Sequence, residues 1–429
     1  MRLEKPELLI LGLALALRLV LIQHATWVPF SDTRDYHVLA HNLAHGQGYL
    51  QVYEGEAAEY QGMTLRAFRM PGYPVLLASL YSVLGWEPFW AYLANVVFEL
   101  LTLLLIGRVG LALFEPLTAR IAQALFGLHV LWTPSLMTES YFTFLFTALI
   151  AAGMLASALR RTPSLAGAFG WGLLLAAAVF VRPIAIVAGV ATVSLLRHVP
   201  LLRHGVATTR GRQRVALALL AALPLVAALG LWSSRNARLF ETPVLLSTNL
   251  GSHNAAAFGV DRPEVVQRGR SQGLDEAAID RLLRAEIGEA IRQAPWSAVD
   301  VTLRRGLQLF SIAPAWEVGF LREVTFAGPE GSPLAEAVYQ ALYAQYRVTY
   351  PLAALGLVVL AARRQLGGLG VVLIAFAAVH ALVSDGNIRF AAPLYPIFCL
   401  LAGFASGWIW QRVRRRFRPD ATASRAAGV

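Results

Sequence analysis

The sequence predicts an all-α polytopic membrane protein, and three observations support this fold class. Hydrophobic residues make up 57% of the 429 residues and charged residues only 15%, and apolar runs recur through most of the chain. Because lipid offers the backbone no hydrogen-bond partners, such runs cross a membrane as helices. The arginines lie largely in short loops between these runs, where positive charge orients a membrane protein. The formal net charge of +11 therefore indicates membrane topology and not nucleic-acid binding.

Ten apolar runs are expected to form membrane helices. They cover residues 8–23, 89–107, 119–132, 140–159, 165–181, 183–196, 215–232, 349–362, 369–383 and 391–410. The first follows Arg2 and Lys5, as in a signal peptide, but no small-x-small cleavage site comes after it. We therefore interpret this first run as an uncleaved helix.

The positions of the arginines place both ends of these ten crossings on the cytoplasmic side. The apolar stretch 71–85 is shorter than a crossing requires. Its 15 residues make about 22 Å of helix, whereas the hydrocarbon core of a bilayer is about 30 Å thick. If this stretch crossed, every later loop would change sides. We expect it to be a re-entrant or surface-lying helix on the outer side.

Four regions follow from this topology. They are an N-terminal transmembrane module, 1–232, with a first outer loop, 25–88; an extracytoplasmic subdomain, 233–347; C-terminal transmembrane helices, 348–411; and a basic cytoplasmic tail, 412–429, disordered after Arg418. Within the subdomain, residues 274–293 have the apolar stripe of a soluble helix, and residues 296–310 that of a helix lying on the membrane.

The first outer loop contains two acids, Asp32 and Asp35, at the start of a short interfacial helix that Gly46 and Gly48 end. The spacing of the acids fits a helix cap, and it fits equally well a working carboxylate at Asp32 with Asp35 in a structural role. The loop also repeats histidines at four-residue spacing, a geometry that suits a metal ion or a hydrated helix face: His37, His41 and His45. We favour the hydrated face, and a divalent metal stays open as a cofactor.

Polar residues from several separate places are expected on the outer face. The set comprises Asp32, Asp35, Arg66, Arg69, Thr138, Glu139, Arg182, residues 233–347 and residues 385–389. An arginine at such an interface either snorkels or holds a lipid phosphate, which its guanidinium matches in a bidentate way. Glu139 is a functional candidate because an acid near a membrane boundary is costly, and a helix cap is the alternative.

A further outer stretch follows the helix 215–232. It begins with Arg235 and Asn236 and continues into a polar loop suited to hydrogen-bonding a sugar, which includes Asn249 and His253. The sequence contains no phosphate-binding loop of the Walker type, no dinucleotide fingerprint and no nucleophile elbow. ATP and nucleotide sugars are therefore poorly supported as direct substrates. A single cysteine, Cys399, excludes a disulfide framework within the chain.

In their order along the chain, these pieces resemble the motifs of bacterial GT-C glycosyltransferases, a superfamily similar to protein O-mannosyltransferases and the lipid A aminoarabinose transferase. The pieces that carry the resemblance are DTRDYHVLAHNLAHGQGY, FRMPGYP, TESYF, VRPIA, WSSRNARLFETPVLLSTNLGSHN and NIRFAAPLYP. Each is weak alone, but their order over nearly the whole chain is specific to the superfamily, though not to a substrate.

The resemblance implies a GT-C-like helix bundle in a bacterial cytoplasmic membrane, with an active site facing the periplasm. It implies inverting transfer of a sugar from a polyprenyl-phosphate donor to a hydroxyl of a glycan, lipid or protein acceptor. Asp32 matches the general base of the family. Thr33 replaces the second acid of the usual Asp-Glu pair, for which Asp35 and Glu139 are the candidate substitutes.

Other residues receive binding roles in this scheme. The arginines expected to stabilise the departing lipid phosphate are Arg69, Arg182, Arg235 and Arg389. The residues expected to bind the sugar or the acceptor are Tyr36, Asn236, Asn249 and His253. Two other interpretations stay open: a transporter or flippase of lipid-linked sugars, which should show internal repeats or broken helices near the midplane, and a non-catalytic polyprenyl-lipid-binding relative.

Overall fold

The computed structural model describes residues 4–27, 31–55, 57–158, 164–190, 209–310, 333–365, 367–383 and 388–417. Its α-helices are α1 (Lys5–Gln23), α2 (Ser31–Ala44), α3 (Gly72–Leu84), α4 (Pro88–Leu113), α5 (Pro116–Gly127), α6 (Glu139–Ala158), α7 (Leu165–Val181), α8 (Thr209–Phe240), α9 (Leu250–Asn254), α10 (Arg262–Ser271), α11 (Glu276–Gln293), α12 (Pro295–Gln308), α13 (Pro333–Ala362), α14 (Gly367–Val383) and α15 (Tyr395–Phe417). Residues 191–196 of the sixth predicted helix, Asp385 and residues 418–429 of the predicted tail lie outside the described residues.

Short elements complete the chain. The 3₁₀ turns are Ala58–Tyr60, Pro183–Ala185, Ala256–Phe258 and Ile388–Leu394. Two short strands, β1 (Gln51–Val52) and β2 (Thr64–Leu65), pair antiparallel, with Gln51 opposite Leu65. The all-α prediction is confirmed, since this two-stranded ribbon is the whole of the sheet structure among the described residues.

Six of the described helices are long and apolar enough to cross a membrane: α1, α4, α6, α8, α13 and α15. The shorter apolar helices are α3, α7 and α14. The chain is therefore an integral membrane protein. Helix α3 corresponds to the stretch 71–85, and its 13 residues reach only about 20 Å, which is shorter than a bilayer core. It packs against α2 and α7.

Several predicted helix boundaries differ from the structure, among them the following three. The predicted helix 119–132 ends early, because α5 stops at Gly127 and the chain continues without helix up to Thr138. Helix α13 begins at Pro333 and not at residue 349, since good helix formers such as Glu336 and Gln340 carry the helix through its polar half. Helix α8 likewise runs through the expected domain boundary at residue 232.

The hydrophobic core lies between α4, α6, α14 and α15. Phe142 and Phe146 of α6 are fully buried there, and Phe146 meets Phe376 of α14 edge to face at 5.3 Å. Close helix contacts depend on glycine where α3 meets α7. A Cβ at Gly72 would lie 2.6 Å from the backbone of Phe180, so only glycine fits there.

The outer subdomain has its own small core. The Asp275 side chain caps α11 by accepting from the Ala278 amide at 2.7 Å, and the buried stripe of α11 includes Ile279 and Leu283. This stripe packs against aromatic residues of the first outer loop, among them Tyr60. The next helix, α12, leaves Trp296 82% exposed, which fits the helix on the membrane surface that the sequence predicts.

Candidate functional site

A cavity of about 390 Å³ opens where α2, the Arg69 segment, the end of α7, the α9 region and α14 meet. The charged side chains that line it are joined by ion pairs, directly or through Glu139, and we call this cluster its polar end; most of the remaining lining is apolar. Its lining includes Asp32, Tyr36, Arg69, Arg182, Asn249, His253 and Arg389 at the polar end, and Ile184, Ile186, Leu250, Val379 and Val383 along the apolar wall. Seven of the eleven sequence-predicted site residues thus line one cavity, and two more, Asp35 and Glu139, pair with arginines of its lining.

Asp32 lies in the first turn of α2, where it is buried between two arginines. Arg69 Nη2 donates to Asp32 Oδ1 at 2.5 Å, and Arg389 Nη2 donates to Asp32 Oδ2 at 2.6 Å. Burial alone would raise the pKa of this carboxyl, but the charges of Arg69 and Arg389 outweigh it and hold the pKa well below its usual range. Asp32 is therefore ionised and bridges two cations.

Asp35 lies behind Arg69, one helical turn after Asp32. Arg69 Nε donates to Asp35 Oδ2 at 2.9 Å, so one guanidinium is held by two carboxylates. Burial raises the pKa of Asp35, partly offset by Arg69, and the neighbouring Asp32 charge raises it further. Asp35 is not one of the described residues that line the cavity. Its contact with Arg69 orients that side chain.

A second ion pair, between Arg182 and Glu139, lies next to the first. Arg182 Nη2 donates to Glu139 Oε1, and Arg182 Nε donates to Thr138 Oγ1 at 2.8 Å. Glu139 is fully buried, and Arg389 Nε lies 4.0 Å from its Oε1. Arg389 therefore stands between Asp32 and Glu139. Among the described residues, the buried Nη1 of Arg182 has no hydrogen-bond partner, so it is a donor that an anion can use.

The local sequence and its aromatic neighbour explain the positions of Arg182 and Arg389. Helix α7 ends at Val181, and Arg182 is extended because the following Pro183 disfavours a helical residue before it. Phe390 then lies beneath both cations: its ring centroid is 5.1 Å from the Arg182 guanidinium and 4.9 Å from that of Arg389. The arginines are held at the cavity by packing as well as by charge.

Three neutral or titratable groups complete the polar end. Asn249 Nδ2 lies 3.1 Å from His253 Nε2, and Ser247 Oγ donates to Asn249 Oδ1 at 2.6 Å. Tyr36 is buried and meets Tyr73 edge to face at 5.2 Å. Asn249, His253 and Tyr36 therefore present polar groups to the same space as the arginines.

Arg235 and Asn236 are not among the residues that line this cavity. Arg235 donates to the carbonyls of Arg66 and Tyr49 at 3.0 and 2.9 Å, and its guanidinium lies 4.8 Å from the Trp232 ring. Asn236 is fully buried and donates to the Val244 carbonyl at 2.9 Å. Arg235 joins α8 to the first outer loop and Asn236 joins α8 to the segment that follows it, and the predicted binding roles of both residues stay predictions.

Three functional candidates escaped the sequence analysis. Glu276 begins α11 and accepts from the amides of Arg66 and Ala67 at 2.9 and 2.6 Å, which fixes the segment that leads to Arg69. Burial raises the pKa of Glu276 to about 7. Arg18 and Glu99 form a buried ion pair between α1 and α4. Opposite charges inside two predicted membrane helices were the available signal for that pair.

The three histidines of the first outer loop, His37, His41 and His45, belong to an aromatic cluster. The His37 ring lies between Trp27 and Trp86, with ring centroids at 4.4 and 4.9 Å, and His41 meets Trp86 at 4.2 Å. Burial lowers the pKa of His37 to about 4. Among the described residues, no group of three or more His, Cys, Asp or Glu side chains is arranged to hold a metal ion.

The fold is similar to that of an oligosaccharyltransferase from Archaeoglobus fulgidus, solved with a tethered acceptor peptide that contains the NVT sequon. The TM-score is 0.53 at 11% identity, and the match covers 96% of this chain and 50% of that one. The A. fulgidus enzyme AglB, solved with an inhibitory peptide and a dolichol-phosphate, matches with a TM-score of 0.50 at 11% identity, over 99% of this chain and 52% of that one. The chain spans about half the length of these proteins.

A third match is ArnT from Cupriavidus metallidurans bound to undecaprenyl phosphate, with a TM-score of 0.38 at 14% identity over 93% of this chain and 77% of that one. No protein-family model matches the chain, and no curated protein does. The helix bundle, the helical first outer loop and the small outer subdomain agree with the architecture that the sequence motifs imply. The chain is an integral membrane protein with the GT-C fold.

Proposed function

We propose that the protein is an inverting glycosyltransferase that transfers a sugar from a polyprenyl-phosphate-linked donor to an acceptor hydroxyl at the outer face of a bacterial cytoplasmic membrane. One observation carries the proposal. Three arginines, Arg69, Arg182 and Arg389, line a largely apolar cavity together with the buried carboxylate Asp32, which Arg69 and Arg389 contact directly. This combination suits a ligand with a phosphate head and a hydrocarbon chain.

The donor fits the cavity by charge and by polarity. A sugar phosphodiester carries one negative charge, and guanidinium groups bind phosphate oxygens through short charge-assisted hydrogen bonds. The apolar wall continues outward through Ile186, which is 52% exposed, and Val383, which is 42% exposed. An isoprenoid chain leaving along this wall would enter the lipid. The dolichol-phosphate bound in an A. fulgidus protein of similar fold supports this class of ligand.

Asp32 is the proposed general base. In the free protein both of its oxygens accept from arginines, which makes it a weak base. The phosphate of the donor competes for the same guanidinium hydrogens, so donor binding frees a carboxylate oxygen and returns basicity to Asp32. That oxygen takes the proton of the acceptor hydroxyl while the hydroxyl oxygen attacks the anomeric carbon. Proton transfer of this kind contributes about 10²–10⁴-fold to a rate.

The bond that breaks joins the anomeric carbon to the phosphate oxygen, and the leaving group is the polyprenyl phosphate with one more negative charge. Arg182 and Arg389 are placed to stabilise that charge, since both lie at the cavity and stack on Phe390. A phosphate paired with cations leaves without a proton, so the step requires no separate general acid. Asn249 and His253, which line the same cavity, are the proposed contacts to the sugar or the acceptor.

The test uses the purified full chain in detergent or liposomes with a labelled undecaprenyl-phosphate-linked sugar and a membrane extract as the acceptor source. The wild type is expected to release undecaprenyl phosphate and label an acceptor, and Asp32→Asn is expected not to. Transfer by Asp32→Asn at the wild-type rate would remove Asp32 as the base. Failure of the wild type to bind any lipid-linked sugar would contradict the proposed donor.

A further inference from the structure

Residues 128–138 connect α5 to α6 without regular helix, although they lie within the helix bundle. Leu131, Thr133 and Leu136 are buried, so this stretch of backbone is shielded from water. Non-helical backbone at membrane depth needs hydrogen-bond partners from the protein. The partners come from polar side chains on two membrane helices, α1 and α4.

Arg18 of α1 supplies the first set of these bonds. Its side chain is fully buried, and it donates to the carbonyls of Gly127 and His129 at 2.7 and 2.8 Å. These are the positions at which α5 ends and the irregular stretch begins. Its Nε donates to Glu99 Oε2 at 2.6 Å, so the guanidinium is neutralised where it is buried.

Glu99 and Asn95, one turn apart on α4, supply the second set. Asn95 Nδ2 donates to the Ser135 carbonyl at 2.7 Å. Glu99 accepts from Thr133 Oγ1 and from Ser140 Oγ, both at 2.6 Å, in addition to Arg18. One carboxylate therefore holds the middle of the irregular stretch and the first turn of α6.

The two residues that hold Arg182, Thr138 and Glu139, lie at the start of α6. Ser140 directly follows Thr138 and Glu139, which accept from the Arg182 guanidinium. We propose that Glu99, neutralised by Arg18, is a positioning residue: it fixes the corner at Thr138 and Glu139, and through that corner it aims Arg182 at the phosphate of the donor. This inference rests on the proposed function for the identity of the phosphate ligand.

The chain offers a matched pair of variants for the test. Thr133→Val keeps the side-chain shape and removes one bond to Glu99. Thr102→Val removes a bond of similar length, from Thr102 Oγ1 to the Phe98 carbonyl at 2.8 Å, within α4 alone. Both threonines are fully buried, so a difference between the two variants reports the Glu99 contact and not the loss of a buried hydroxyl.

Two readouts are measured on the full chain in detergent: amide hydrogen exchange of residues 128–140 and the Kd for undecaprenyl phosphate. Thr133→Val is expected to speed the exchange and to weaken binding about tenfold, as the loss of a hydrogen bond to a charged group implies. Thr102→Val is expected to change neither. Faster exchange with an unchanged Kd would overturn the positioning role, and so would equal weakening by both variants.

A double-mutant cycle separates positioning from a general structural effect. If Glu99 acts through Glu139, then Thr133→Val should not weaken binding further once Glu139→Gln is present. The same tenfold loss in that background would overturn the inference. Should the wild type fail to bind undecaprenyl phosphate at all, the proposed function fails, while the exchange data still show whether Glu99 fixes the corner.

Discussion

Arg389→Gln tests two roles of the positive charge at the site: binding of the phosphate and lowering of the Asp32 pKa. Arg389 donates to Asp32 at 2.6 Å, lies 4.0 Å from Glu139 and is one of the three arginines at the cavity. Glutamine keeps a donor of shorter reach and removes the positive charge. Two effects are expected together: weaker binding of a polyprenyl phosphate and a less acidic Asp32.

The size of the binding effect comes from the type of contact that is lost. A hydrogen bond between charged groups contributes about 1.5–3 kcal/mol, which corresponds to a loss of about 10- to 150-fold in affinity for the phosphate. The second effect has a definite sign. Arg389 is one of the charges that lower the pKa of Asp32, so its removal raises that pKa. The acid limb of the pH profile of kcat/KM should therefore move to higher pH.

The measurements are the Kd for undecaprenyl phosphate and the pH profile of sugar transfer. Arg292→Gln is the control, because Arg292 is exposed on α11 and its partners among the described residues, Glu289 and the Gly288 carbonyl, lie in its own helix. It removes the same charge far from the cavity, and both measurements should stay at the wild-type values. An Arg389→Gln protein with an unchanged Kd and an unchanged acid limb would refute the proposed arrangement of charges.

Three further predictions concern the parts around the site. Burial raises the pKa of Glu276 from 4.5 to about 7, so the folded state holds an extra proton between these pH values. The free energy of unfolding should therefore fall by about 3 kcal/mol as pH rises from 4.5 to 7. Glu276→Gln should lack this pH dependence in thermal unfolding, and an equal dependence in both proteins would contradict the burial effect. Arg235→Gln should lower the unfolding temperature, because the first outer loop loses two hydrogen bonds. The Kd for undecaprenyl phosphate should stay within about twofold of the wild-type value, and a large loss of binding would show that Arg235 is a phosphate ligand after all. Gly72→Ala should destabilise the protein by about 1–3 kcal/mol, since the added carbon meets the Phe180 backbone; an unchanged unfolding temperature would show that α3 and α7 separate readily.

The sequence was sufficient for the features that depend on local pattern. Six of the ten apolar runs predicted as crossings correspond to described helices that are long enough to cross a membrane, and the stretch 71–85, predicted to be too short, forms the short helix α3. The arginines at cavity-lining positions were also accessible, because Arg69, Arg182 and Arg389 each stand at a junction between an apolar run and an outer segment. Charge at such a junction has few explanations, and phosphate binding is one of them.

What the sequence did not predict depends on contacts between distant segments. The early end of α5 depends on Arg18 and Glu99, which lie 109 and 28 residues away from Gly127 in the chain. Glu276 looked like an ordinary helix start, and only the fold shows that it accepts from Arg66 and Ala67, about 210 residues earlier. Arg235 was placed with the site because it shares an outer segment with Asn249, but its side chain turns to the carbonyls of the first loop. The local sequence pattern does not predict toward which distant segment such a side chain points.

The central claim is that Asp32 removes a proton in the transfer step and is not itself needed to hold the donor. Its most direct test measures two quantities for Asp32→Asn against the wild type: the Kd for undecaprenyl phosphate and the kcat of sugar transfer. Asparagine cannot take the proton and withdraws less charge from Arg69 and Arg389, so the Kd should be unchanged or lower while kcat falls about 10²–10⁴-fold. A kcat near the wild-type value, or a loss explained wholly by weaker donor binding, would contradict the claim.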